Sequence, residues 1–132
     1  MRTIRTEAAP APVAGAPYSQ AVAASAGEIV FVSGLLGVDP VTGALVGDDV
    51  RDQTALALRH LATILAASGT GLGEVVKTTV FLADLSGDFV AMNEVYAHAF
   101  SGHAPARSTV GVAALPLGAR VEIEAVAVVP EA

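Results

Sequence analysis

The chain has 132 residues, 53% of them hydrophobic and only 15% charged, with a net charge of −6 and no cysteine. That length supports one domain, here residues 1–132, and leaves too little chain for a second core. The missing cysteine excludes disulfides, thiolate nucleophiles and cysteine-ligated zinc, and the acidic balance makes nucleic acid a poor partner. The apolar surplus still has to be buried. No run reaches the roughly 18–20 apolar residues a membrane span needs, so the expected place is a subunit interface of a closed homo-oligomer. No continuous apolar core follows the two N-terminal arginines, so no secretory signal is read and a cytoplasmic location is expected.

Residues 1–17 read as an N-terminal arm, whose Ala-, Pro- and Gly-rich part at 8–17 cannot hydrogen-bond regularly. Residues 21–25 and the β-branched run 28–33 follow, separated by Ala26-Gly27, and predict a β-hairpin. Asp39-Pro40-Val41-Thr42-Gly43 is turn chemistry. From Asp49 the apolar period lengthens: Val50, Thr54, Ala57, Leu61, Ile64 and Leu65 predict a helix capped by Asp49 and ending near Ser68-Gly69. Residues 74–82 (EVVKTTVFL) predict a buried strand. A second helix is expected from Asp88, with Phe89, Met92, Tyr96 and Phe100 as its apolar stripe and Asn93 beside it. Residues 107–112 and 120–129 complete a β-β-α-β-α-β-β order. The fold class is α+β: one mixed sheet with both helices on one face. In the last strand Val121, Ile123, Ala125 and Ala127 alternate with Glu122, Glu124, Val126 and Val128, so neither face is uniformly polar. That pattern suits a second face packed against neighbouring subunits.

Arg107 follows Pro105-Ala106 at a loop-to-strand junction, and its forked N–H groups suit a planar carboxylate; the alternative is a surface arginine or a structural ion pair. Glu122 lies on a face that continues as valine, and a partly desolvated carboxylate there suits proton transfer; the alternative is a solvated strand glutamate. Tyr18 either lids a pocket or anchors the arm. Ser33-Gly34 ends a strand where a hydroxyl and backbone N–H groups could meet a ligand oxygen. Asn93 needs hydrogen-bond partners if buried. His60, His98 and His103 lack metal-ligand spacing, and the glycines of 69–73 lack the lysine and strand context of a phosphate loop.

Several strings occur in one order along the chain: Gly15-Ala16-Pro17-Tyr18-Ser19-Gln20-Ala21, Val32-Ser33-Gly34, Val76-Lys77-Thr78-Thr79-Val80-Phe81-Leu82, Met92-Asn93-Glu94-Val95-Tyr96, Pro105-Ala106-Arg107-Ser108 and Val121-Glu122-Ile123-Glu124-Ala125. Together they closely resemble the Rid family, also called YjgF, over essentially the whole chain. The resemblance implies a chorismate-mutase-like fold and a homotrimer whose sheets form a central barrel, with clefts between subunits. It implies hydrolysis of reactive enamines and imines to 2-oxoacids and ammonia, without metal or cofactor. Arg107 would hold the substrate carboxylate and Glu122 would activate water, while Tyr18, Ser33, Gly34, Asn93 and Thr109 would shape the cleft. Leu35 stands where many members have Gln, Gly37 where Pro or Ala is frequent, and Thr109 where the deaminase subgroup often has Cys; these departures bear on substrate range. Two other readings remain: a non-catalytic trimer that binds small carboxylates such as 2-oxoacids, and the ribonuclease or translation-inhibitor role attached to parts of the family.

Overall fold

The computed structural model describes residues 1–12 and 16–131. Part of the proline-rich arm, including Gly15 of the Gly15-to-Ala21 string, lies outside them. The elements run β1 (Arg2–Ile4), β2 (Ala21–Ala23), β3 (Gly27–Leu35), α1 (Val50–Ala67), β4 (Val75–Leu82), α2 (Leu85–Ala99), β5 (Ala106–Gly111) and β6 (Val121–Pro130). Four strands form a mixed sheet in the order β3-β6-β4-β5, antiparallel except for the parallel β4–β5 pair. Both helices pack on one face, as expected of this α+β chain.

Helix α1 forms where the apolar period said it would. Asp49 accepts a hydrogen bond from the Arg51 amide at 2.7 Å, satisfying one free donor of the first turn. Leu58, Leu61 and Leu65 bury one face, each contributing about 1.5–3 kcal/mol, and Gly69, at φ +88°, turns the chain away after the C-cap. In β4, Val75, Thr78, Val80 and Leu82 face the helices. A register shift between Val75 and Lys77 lets residues three apart share that face. Val121, Ile123, Ala125 and Ala127 of β6 line the same core, as their alternation foretold.

Two expectations need correction. The hairpin of residues 21–25 with 28–33 does not form: β2 pairs with β1, and β3 pairs antiparallel with β6. A three-residue strand cannot satisfy the hydrogen bonds of a nine-residue one, whereas the ten-residue β6 can. The second helix begins at Leu85, not Asp88, because Asp84 takes the cap and accepts from the Gly87 amide at 3.2 Å. Asp88 is instead buried in the first turn, where Arg120 donates to it at 3.1 Å.

The sheet face away from the helices is open and partly apolar. Ile29 is 58% exposed and Phe31 77%, values that leave large side chains of the edge strand β3 in water. Among the described residues, no helix is long and apolar enough to cross a membrane.

Candidate active site

Arg107 is the second residue of β5 and stands in register with Thr78 of β4. Residues paired across neighbouring strands point to the same face, so its side chain enters the helix side of the sheet. There the guanidinium carbon lies 4.8 Å from the ring centre of Tyr96, 5.4 Å from Tyr18 and 5.9 Å from Phe89, within cation–π range of all three. Nη1 donates to Asn93 Oδ1 at 2.7 Å. Among the described residues no carboxylate pairs with it; the ion pairs there are Arg51–Glu94, Arg120–Asp48 and Arg120–Asp88. Burial lowers the Arg107 pKa from its ordinary value, opposed by the nearby Tyr96 and Tyr18. A partly desolvated guanidinium with N–H donors to spare can receive an anion, and among the described residues no structural ion pair engages it.

The cage is held from behind. Tyr96 is fully buried, and its hydroxyl shares a 2.7 Å hydrogen bond with Thr78 Oγ1. Burial pushes its pKa up to about 12, against the opposing effects of the Thr78 hydrogen bond and Arg107. Tyr18 is fixed by its neighbour: Ser19 Oγ donates to the Ala104 carbonyl at 2.6 Å and its amide to the Pro105 carbonyl at 3.2 Å. The arm therefore locks onto the loop just before Arg107. Tyr18 and Arg107 also border a cleft of about 560 Å³ whose lining includes the arm together with Lys77, Ala106 and Ser108.

Glu122 lies elsewhere. Its register partner on β4 is Phe81, three residues from Thr78 and of opposite parity, so it projects from the helix-free face. Gly34 touches it: a Cβ there would overlap the Glu122 carboxylate, so only glycine permits this approach. Ser33 and Gly34 form a bulge between the Val32–Ala125 and Leu35–Ile123 pairs, which turns both toward the surface. The expected residues thus fall into two groups. Arg107, Asn93 and Tyr18 meet on one face; Glu122 and Gly34 meet on the other, with Ser33 in the adjoining bulge. One protomer does not bring the two groups together.

Thr109 pairs with Val80 and so shares the Arg107 face; its buried hydroxyl has no hydrogen-bond partner among the described residues. His60 and His103 each hydrogen-bond a backbone carbonyl, of Val38 at 2.7 Å and Val75 at 2.9 Å. Sequence reasoning placed Phe89 and Tyr96 only in a core stripe, and it gave Ser19 and Gln20 no role. The signal for the first pair was their spacing around Asn93, with Phe89 four residues before it and Tyr96 three after, on one helix face.

The sequence model of the family described as Endoribonuclease L-PSP matches residues 6–129. The chain is 51% identical over 94% of its length to the Reactive Intermediate Deaminase A, chloroplastic, of Arabidopsis thaliana, of which it spans 64%. It is 49% identical to the 2-iminobutanoate/2-iminopropanoate deaminase of Mus musculus, covering 89% of this chain and 85% of that one. Among solved structures, E. coli TdcF with bound serine superposes with a TM-score of 0.72 at 42% identity, covering 97% of this chain and 98% of that one. The match runs through both halves of the site just described, and the chain belongs to the Rid (Endoribonuclease L-PSP) family.

Proposed function

We propose that this chain hydrolyses small 2-imino acids to 2-oxoacids and ammonia, in a cytoplasmic homotrimer whose sites join Arg107 of one protomer to Glu122 of the next. The observation that carries the reading is the half-buried Arg107 guanidinium, caged by three rings and without an acidic partner among the described residues. It would grip the substrate carboxylate in a fork, with Asn93 fixing the plane of the fork and Tyr18 covering it. The clamp orients the C=N carbon for attack.

Glu122 then takes a proton from water as its oxygen bonds to that carbon and the C=N π electrons move onto nitrogen. Glu122 returns that proton to the nitrogen, giving the tetrahedral carbinolamine; it then relays the hydroxyl proton to the same nitrogen as the C–N bond breaks, so the C=O of the 2-oxoacid forms and ammonia leaves. Water is consumed and no electrons are exchanged. Residues 33–34 would present a backbone edge beside Glu122, and the Thr109 hydroxyl would face the ligand near Arg107.

Assembly is part of the proposal because the two groups point from opposite faces of one sheet. Exposed Ile29 and Phe31 lie on the Glu122 face and would be covered when sheets pack around a central barrel. The mouse relative's name and the serine held by TdcF support a small amino-acid-like ligand. Seven Lys and Arg residues stand against thirteen Asp and Glu, and Arg51 and Arg120 are engaged by carboxylates, a balance that disfavours RNA.

The test is subunit complementation. Arg107→Ala and Glu122→Ala proteins, each assayed alone with 2-aminoacrylate or 2-iminopropanoate generated in situ, should be inactive. Unfolded and reassembled together, they should regain about a quarter of wild-type activity, because one interface in four then carries both intact residues. No regain from the mixture, or full activity in either variant, would defeat the composite site. Ligand-induced thermal stabilisation without turnover in the wild type would favour a carboxylate-binding trimer.

A further inference from the structure

Helices α1 and α2 each cross between parallel strands, β3 to β4 and β4 to β5, so they run side by side in one direction. At one point opposite charges close the seam between them: Arg51 Nη2 meets Glu94 Oε2 at 2.8 Å. Further along, the seam opens into a groove of about 470 Å³, within the range of small-ligand sites. Leu58, Leu72 and Val95 form its apolar floor, and Arg59 and His98, both exposed, stand at its rim. No carboxylate lines it, and among the described residues neither Arg59 nor His98 is in an ion pair. Two basic side chains thus share one apolar groove on a chain whose net charge is −6. The Arg107 site is elsewhere. Helix α2 gives Phe89 and Asn93 to Arg107, and Val95 and His98, roughly a third of a turn round the helix, to this groove.

We propose that this groove is a second ligand site that takes a free medium-chain carboxylic acid, its carboxylate held by Arg59 and His98 and its aliphatic tail laid along Leu58, Leu72 and Val95. Charge complementarity selects the occupant. Arg59 offers paired N–H groups to a carboxylate and His98 adds a ring N–H, so a neutral lipid would leave both unused. An inorganic anion would leave the floor in water. Each methylene buried on that floor is worth up to about fourfold in affinity, so binding should climb with chain length. The short 2-oxoacids and 2-imino acids proposed for Arg107 lack such a tail, and the groove stands whether or not that reading holds.

The experiment titrates octanoate, below its micellar concentration, into the full chain by calorimetry, with butyrate, octanol and octylamine as comparisons. Octanoate should bind saturably. Butyrate, four methylenes shorter, should be weaker by about a hundredfold or more, octanol by about tenfold or more, and octylamine should not bind. Arg59→Gln should weaken octanoate by about tenfold or more and leave imine turnover unchanged. Ala62→Trp, which fills the groove, should abolish octanoate binding, with a thermal melt of each variant to check folding. Arg107→Ala should bind octanoate within about twofold of wild type, as expected of separate sites. Binding that survives Arg59→Gln or a folded Ala62→Trp, or that disappears in Arg107→Ala, overturns the proposal. So does octylamine binding as tightly as octanoate, or no saturable binding of octanoate at all. If Ala62→Trp does not fold, Arg59→Gln and the octylamine comparison still decide between the two results. A wild type without imine hydrolysis bears on the Arg107 reading alone.

Discussion

Arg107→Lys tests the carboxylate clamp with the least disturbance. Lysine keeps the positive charge and much of the stem but offers a point donor in place of a planar fork. If guanidinium and carboxylate meet through two charge-assisted hydrogen bonds, lysine retains one. The loss is then about 1.5–3 kcal/mol, or roughly 10- to 150-fold in kcat/KM. Stability should respond far less. The side chain has no acidic partner among the described residues, and burial already disfavours its charge, so the Nη1–Asn93 bond and ring contacts it loses are offset by relief of desolvation. The assay pairs imine hydrolysis with a thermal melt of the same preparation. A kcat/KM within threefold of wild type, or an activity loss matched by collapse of the melting transition, would refute the reasoning.

Glu122→Gln keeps shape and removes the proton acceptor, so kcat should drop by about 10²- to 10⁴-fold with little change in ligand-induced thermal stabilisation. Gly34→Ala drives a methyl group into the space of the Glu122 carboxylate; the carboxylate can swing away at a cost of about 1 kcal/mol, leaving a folded protein with reduced kcat in the same assay. Tyr96→Phe leaves the Thr78 hydroxyl unpartnered in the core, a loss of about 1–3 kcal/mol by urea denaturation. The folded pKa of Tyr96 is raised from 10.0 to about 12, so its contribution is fully present below pH 10 and disappears as pH climbs through about 12. The absorbance difference between wild type and Tyr96→Phe near 295 nm should show one phenol ionising close to that upper value, and a midpoint near 10 would contradict it. Phe31→Glu should disperse the assembly toward 13.2 kDa by light scattering and abolish turnover with it.

The sequence revealed what local chemistry determines. The Asp49 cap, the Leu61–Leu65 spacing and the alternation of β6 each depend on residues a few positions apart, and each was read directly. Pairing was harder. Residues 21–25 and 28–33 look like a hairpin because they are neighbours in sequence, yet β3 finds its partner almost a hundred residues away in β6. Asp88 looked like a cap because an apolar stripe follows it; Asp84, four residues earlier, does that work and frees Asp88 for Arg120. At the site, family motifs named Arg107 and Glu122 together, but motif order carries no face. Only the register on β4, Thr78 for one and Phe81 for the other, separates them. The roles of Ser19 and Gln20 depend on contacts with Ala104 and the arm that no periodicity encodes.

The ringed guanidinium has a consequence for how the protein meets its surroundings. With no internal acid to displace among the described residues, an arriving anion exchanges only with water, and nothing in the fold ranks one small anion above another until shape is consulted. On the proposed role of Arg107, chloride, sulfate and phosphate compete for the same seat. Turnover measured in different buffers should diverge through KM, and beyond ordinary screening, according to which anion each buffer supplies.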